Sequence, residues 1–246
     1  MINQPIVHDR HHVKRLFEDI IANGGHKNTF NKPSNLTITT VRNEGTMEDR
    51  IIPSLKGYEN TSILEANLNY LGIKPLIVLK DPRLPWRNTY KFEVILNYLN
   101  SGNCNTEYFM YCDAIDVIFV DDPQKVLDIF ESYNCDALFM STHSTDGYQC
   151  MPEVKKIIDQ INKGNRRYLN SGVYIGKTEF IKEIFEEAIK YALPHGVTMG
   201  EYHDYLKSNP SNYPQGSQDQ DIFRYIEPKF YPKLKVDYQN IMAYRS

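Results

Sequence analysis

Five apolar residues, Tyr108 to Cys112, stand between the acidic Glu107 and Asp113. Such a run has strand length and strand composition, and polar residues bound it. Apolar residues at every position leave no face for water. The run is therefore predicted to be a central strand covered on both sides, as in an α/β sheet. Sheets of that kind bind ligands at the carboxyl ends of their strands. Here that end carries Asp113, with Asp116 three residues on and a second apolar run, Val117 to Val120, directly behind it. No Lys or Arg lies between Lys91 and Lys125. Two buried carboxylates with no cation repel each other and are strongly disfavoured. A divalent metal resolves the conflict. Oxygen ligands suit Mg²⁺ or Mn²⁺, and substrate phosphates commonly complete the shell. The plainer alternative is a strand-to-loop turn, with Asp113 as turn former and Asp116 in solvent.

Around this strand the apolar pattern alternates between the two periods. Val13, Leu16, Phe17, Ile20 and Ile21 fall at helical spacing. Leu36 to Val41 is β-branched and predicts a first core strand, leading through Arg42-Asn43 into Glu44-Gly45 at a ligand-facing end. Ser62 to Leu71 predicts a helix stopped by Gly72, and Lys74 to Leu79 a second strand. A helix follows from about Thr89 to Leu99. Beyond the opening strand, Asp122-Pro123 has N-cap and first-turn chemistry for another helix, and Ala137 to Met140 predicts a further buried strand. This alternation argues for a mostly parallel sheet.

The second half is less regular. Glu153 to Ile161 predicts a short helix, and Tyr168 to Gly176 an apolar segment broken by Asn-Ser-Gly. Thr178 is placed as the cap of a helix carrying Ile181, Ile184, Phe185 and Ala188. Leu193 to Gly216 is polar and holds Pro194, Pro210 and Pro214, which predicts a loop or lid. A short helix opening near Ser217 and a last strand, Leu234 to Val236, complete the chain. Residues 1–34 are taken as an N-terminal extension. Residues 35–125 form a nucleotide-binding half, and 126–246 an acceptor-binding half of the same domain.

Composition narrows the partners. The chain has 246 residues, net charge −3, and an ordinary globular balance of apolar and charged residues. With no basic excess, nucleic acid is not an expected partner. No apolar run approaches the length of a membrane span. The polar start lacks the apolar core of a secretory signal, and the four cysteines have no CxxC spacing. They are expected to be reduced thiols in the cytoplasm or another reducing compartment. His8, His11 and His12 are expected as a solvated or helix-face cluster, not as metal ligands.

Three features in order carry more weight than any one alone: DAIDVIF (Asp113 to Phe119), LNSGVYIG (Leu169 to Gly176) and SQDQDIF (Ser217 to Phe223). With them the chain resembles GT-A-type glycosyltransferases. More narrowly, it resembles the glycosyltransferase domain of procollagen lysyl hydroxylases, from about Leu36 to Asp237. The fold implied is α/β, a mixed, mostly parallel GT-A-type (Rossmann-like) sheet with helices on both faces. The resemblance also implies a UDP-sugar donor and a Mn²⁺ (or Mg²⁺) ion that joins its diphosphate to Asp113 and Asp116. Thr40 and Val41 would lie near the nucleoside, with Ile115 where the family usually has an aromatic residue. Lys91 matches a basic position near the phosphates; a solvated helix face is the alternative. Asn170, Ser171 and Gly172 would form a turn close to the donor sugar, with Asp219 and Gln220 at the reaction centre. A missing Cβ at Gly172 lets backbone approach closely. Carboxylates beside an anomeric centre stabilise developing positive charge, as in glycosidases.

The family's third metal ligand is a His in a glycine-rich segment after the last strand. No such segment follows here, so either the sequence is a fragment or another residue completes the shell, Asp237 being nearest. The implied activity is transfer of glucose from UDP-glucose to galactosyl-hydroxylysine of a collagen-like chain. Transfer to another glycan or lipid acceptor, and non-catalytic binding of a UDP-sugar, stay open. So does homodimerisation.

Overall fold

The computed structural model describes residues 4–9, 12–43, 60–192, 196–198, 200–208 and 218–245. A six-stranded sheet forms its centre. The first strands are β1 (Ile6–His8) and β2 (Leu36–Asn43), on either side of helix α1 (Val13–Ala22). Next come α2 (Ile63–Leu71), β3 (Leu76–Asp81), α3 (Tyr90–Asn100), β4 (Tyr108–Cys112) and β5 (Val117–Phe119). They are followed by α4 (Pro123–Ser132), β6 (Ala137–Thr142), α5 (Pro152–Ile161), β7 (Tyr168–Lys177) and α6 (Thr178–Ala188). The described chain closes with α7 (Tyr202–Ser208), α8 (Asp219–Phe230), β8 (Leu234–Val236) and β9 (Ala243–Arg245).

The main sheet has the order β3-β2-β4-β7-β6-β8. Strand β7 runs antiparallel to both its neighbours, and the other pairings are parallel. The period-2 alternation of β4 explains the two layers around it. Tyr108, Met110 and Cys112 point into one core with residues of α1, α2 and α4. Phe109 and Tyr111 point into a second core with residues of α3, α6 and α8. Helices thus cover both faces of a mixed, mostly parallel sheet, as expected.

Local chemistry sets several boundaries. Ser62 caps α2 in a full capping box with Glu65, and Gly72 ends it at φ 86°. The Asp122 side chain accepts from the Gln124 N–H at the start of α4, with Pro123 in the first turn. Where a break was expected, Tyr168 to Lys177 is one continuous strand. It bulges instead: Tyr174 faces Phe139 of β6 and Asn170 faces Met140, so three residues of β7 oppose none. Thr178 does not cap α6; its hydroxyl donates to the Thr106 carbonyl while Lys177 holds the cap position. The polar stretch expected as a loop contains α7. Glu44, Gly45 and Ser217 lie outside the described residues.

A second sheet was not expected at all. It has the order β5-β1-β9, with β1 antiparallel to β5 and parallel to β9. Through it residues 6–8 lie against the short strand that follows Asp116. Among the described residues no helix is long and apolar enough to cross a membrane.

Candidate active site

The turn after β4 carries Asp113 and Asp116. The Asp113 N–H donates to the Gly172 carbonyl at 2.8 Å, which fixes the turn against the β7 bulge. Both carboxylates face one small space, and the third group there is His8. One ligand atom from each of His8, Asp113 and Asp116 lies within 4.8 Å of the others. His8 Nε2 is 3.2 Å from Asp116 Oδ2. The expectation of a solvated histidine cluster therefore fails for His8, which is buried because β1 seats it between β5 and β9. His12 keeps an exposed ring and pairs with Asp9, and His11 is outside the described residues.

The carboxylates also have a cation that sequence distance hid. Lys91 of α3 is buried, and its Nζ stands 2.8 Å from Asp113 Oδ1 and 3.0 Å from Asp219 Oδ2. The solvated-face alternative for Lys91 is thereby overturned. Burial pulls its ammonium down in pKa, but Asp113 and Asp219 more than offset this and raise it above the usual lysine value. Burial pushes the Asp113 carboxyl up, Lys91 pulls it down, and Asp116 and Asp219 push it up again; the net shift is upward. Tyr111 adds a hydroxyl, donating to the same Oδ1 of Asp113 at 2.8 Å. Period 2 places Tyr111 and Asp113 on the same side, so sequence could have suggested this bond. Asp113 Oδ2 points the other way, toward Gly172 and His8: a Cβ built at Gly172 would stand 3.0 Å from it and 2.5 Å from His8 Cε1.

Asn170, Gln220 and Asp219 also converge here. The Asn170 amide donates to Gln220 Oε1 at 2.8 Å, and its own Oδ1 accepts from the Gly172 N–H at 3.0 Å. Asp219 begins α8 and reaches the Asp113 corner through Lys91. Ser171 is buried in the bulge. Thr40 and Val41 are buried on β2, one and two residues past Thr39, the partner of Tyr111, and so stand level with the end of β4. Ile115 is partly exposed in the turn between the two aspartates. Asp237 is elsewhere. Its Oδ1 accepts from the Tyr133 hydroxyl at 2.7 Å and the Ile241 N–H at 3.1 Å, and its Oδ2 from the Met242 N–H at 2.8 Å. The third group beside Asp113 and Asp116 is His8, not Asp237. No disulfide joins any of the four cysteines, all of which are described.

Against known proteins, a profile of the PLOD GT domain matches residues 59–191, more than half of the chain. The chain belongs to the PLOD glycosyltransferase-domain family. Its three sequence motifs meet, in space, at the corner just described. No curated protein matches. Among solved structures, mouse xyloside xylosyltransferase 1 in its apo form is similar at 12% identity and TM-score 0.46, covering 93% of this chain and 81% of that one. An active-site mutant of LgtC is similar at 14% identity and TM-score 0.39, covering 81% and 72%. The bifunctional glycosyltransferase WbbM in its apo form is similar at 11% identity and TM-score 0.43, covering 82% of this chain and 38% of that one. Each is a distant likeness in chain course. Membership of the PLOD family makes the domain a glycosyltransferase, for which a nucleotide-sugar donor and an acceptor are implied.

Proposed function

We propose that the protein is a metal-dependent transferase that moves a hexose from a UDP-sugar to a hydroxyl acceptor. In this assignment the hexose is glucose and the acceptor is galactosyl-hydroxylysine of a collagen-like chain, in a reducing compartment. One observation carries it: Asp113 and Asp116 face a common space, and Lys91 ties that space to Asp219 across the sheet rim. The donor set fits a hard dication, since two carboxylates converge and one buried lysine cannot balance three. Asp113 and Asp116 would hold Mn²⁺ or Mg²⁺. Such an ion, when bound, supplies Lewis-acid charge for the departing diphosphate.

The chain's own residues do the rest. Thr40, Val41 and Ile115 line the nucleoside side. The β7 bulge brings Ser171 and Gly172 to the rim, and Asn170 holds Gln220 in place by its amide. Asp219, fixed by Lys91, stabilises positive charge as the anomeric bond opens. A missing third ligand would favour non-catalytic binding; the nearness of His8 to both carboxylates supports the catalytic reading instead.

The test is release of UDP by the purified protein with Mn²⁺. Asp113→Ala should abolish it while circular dichroism stays unchanged; undiminished release would sink the metal assignment. Calorimetry with UDP-glucose and UDP-galactose, each with and without Mn²⁺, identifies the donor. A collagen-like galactosylated peptide set against free sugars separates the proposed acceptor from other glycans.

A further inference from the structure

We propose that His8 is the third protein ligand of the ion held by Asp113 and Asp116, and that the ion fastens the N-terminal strand to the rim of the main sheet. This rests on the metal assignment above and extends it to a residue far away in sequence. The site is built rather than accidental. In register, His8 pairs with Val117 on one side and Arg245 on the other, so its backbone is held by two strands. The Asp9 N–H donates to the Asp116 carbonyl at 2.9 Å, tying β1 to the same turn that carries the second carboxylate.

The ring is aimed at the carboxylates. Its Nε2 lies 3.2 Å from Asp116 Oδ2. Neighbouring ligands of an octahedral ion with bonds of about 2.1 Å stand roughly 3 Å apart, so this spacing suits a shared ion. Its Nδ1 is buried with no hydrogen-bond partner among the described residues. The imidazole is therefore not a member of some other network. Gly172 leaves the room: any side chain there would collide with His8 Cε1 at 2.5 Å.

Two consequences follow from the chemistry. A neutral imidazole adds a ligand without adding negative charge to a corner that already has three aspartates. A nitrogen ligand also favours Mn²⁺ over Mg²⁺, which prefers oxygen throughout. And because the ion would contact both β1 and the turn, its binding free energy also stabilises the docking of β1.

The experiment uses the whole chain and Mn²⁺ alone as probe. Free Mn²⁺ is counted by its electron paramagnetic resonance signal, for wild type, His8→Ala, His8→Gln and Asp113→Asn. Amide exchange in β1 is followed in parallel. His8→Ala should raise the Mn²⁺ dissociation constant about tenfold or more, a loss at least as large as removal of a supporting group outside the ligand shell. Mn²⁺ should slow exchange of the β1 amides in wild type and much less in His8→Ala. His8→Gln, which keeps a polar side chain of similar reach, guards against misfolding and should also weaken binding. If both His8 variants bind Mn²⁺ as tightly as wild type while Asp113→Asn does not, the His8 ligand is refuted and the metal assignment stands. If all three variants match wild type, both fall.

Discussion

Lys91→Met is the most informative single change, because it removes a charge and keeps the stem. Lys91 Nζ makes two close contacts, 2.8 Å to Asp113 and 3.0 Å to Asp219. At an effective dielectric constant near 20, each attraction amounts to about 6 kcal/mol. Dehydration of the ammonium, several kcal/mol, offsets part of this. Removing one partner of a buried pair typically costs 3–5 kcal/mol, since the other charge stays behind. For a domain of this size that is a fall of roughly 10 °C in the unfolding midpoint. The deficit should depend on pH. Without Lys91, burial and the neighbouring Asp116 and Asp219 push the Asp113 carboxyl further up. A carboxyl raised in the folded state contributes stability below its unfolded pKa and loses it as pH rises through the folded value. In chelator-treated protein the deficit should therefore be small near pH 4 and full at about pH 7. Mn²⁺ should raise the midpoint of the variant more than that of wild type, since it supplies the missing positive charge. Thermal unfolding followed by circular dichroism reads all three. A deficit under about 1 kcal/mol, or one equal at both pH values, would refute the picture of Lys91 as the counter-charge of the site.

Three further outcomes are expected. Gly172→Ala places a methyl 2.5 Å from His8 Cε1 and 3.0 Å from Asp113 Oδ2, so Mn²⁺ affinity should fall at least tenfold, with about 1–3 kcal/mol of stability lost to overpacking; unchanged titration would contradict it. Asp237→Ala should destabilise the chain by about 3 kcal/mol in urea unfolding, because the Tyr133 hydroxyl and three backbone N–H groups lose their acceptor, and should leave Mn²⁺ binding unchanged. Glu227 is pushed up to about 8 by burial, against the pull of the Asn162 amide and Arg224. Wild-type stability should thus fall between about pH 4.5 and about pH 8 through this group, by at most about 1.4 kcal/mol per pH unit, and Glu227→Gln should flatten that part of the urea-midpoint profile.

Features that act within one element were legible in the sequence. Tyr108 to Cys112 forms a strand with the expected ends, because a fully apolar run between two acids has one sensible placement. Asp122-Pro123 and Ser62…Gly72 mark helix ends through side-chain and φ preferences that act locally. The motifs of the resemblance located Asp113, Asp116, Gly172 and Asp219 at one corner. What stayed hidden depends on partners far along the chain. Ile6–His8 is three residues long, too short to show a period, and exists as a strand only because β5 and β9 flank it. The resemblance marks Lys91 as a basic position, but its ion pairs leave no local signal, since the two partners lie 22 and 128 residues away. The β7 bulge looked like a break because Asn-Ser-Gly disfavours a regular strand, yet pairing to β4 carries the chain straight through.

The division of labour at Asp113 explains why Lys91 and a dication need not compete. Lys91 and Tyr111 both bond Oδ1. Oδ2 faces the opposite way, into the space bounded by Gly172 and His8. One carboxylate therefore meets the lysine that steadies Asp219 and, with its other oxygen, meets the corner where Asp116 and His8 wait. The buried lysine thus leaves Asp113 Oδ2 facing the corner where a dication would sit. A lysine bonded to both oxygens would have closed that corner. Three carboxylates against one ammonium also leave an excess of negative charge, and it lies on the Asp116 side, beside His8. The chain's fold thus prepares a site that is short of positive charge on one known side.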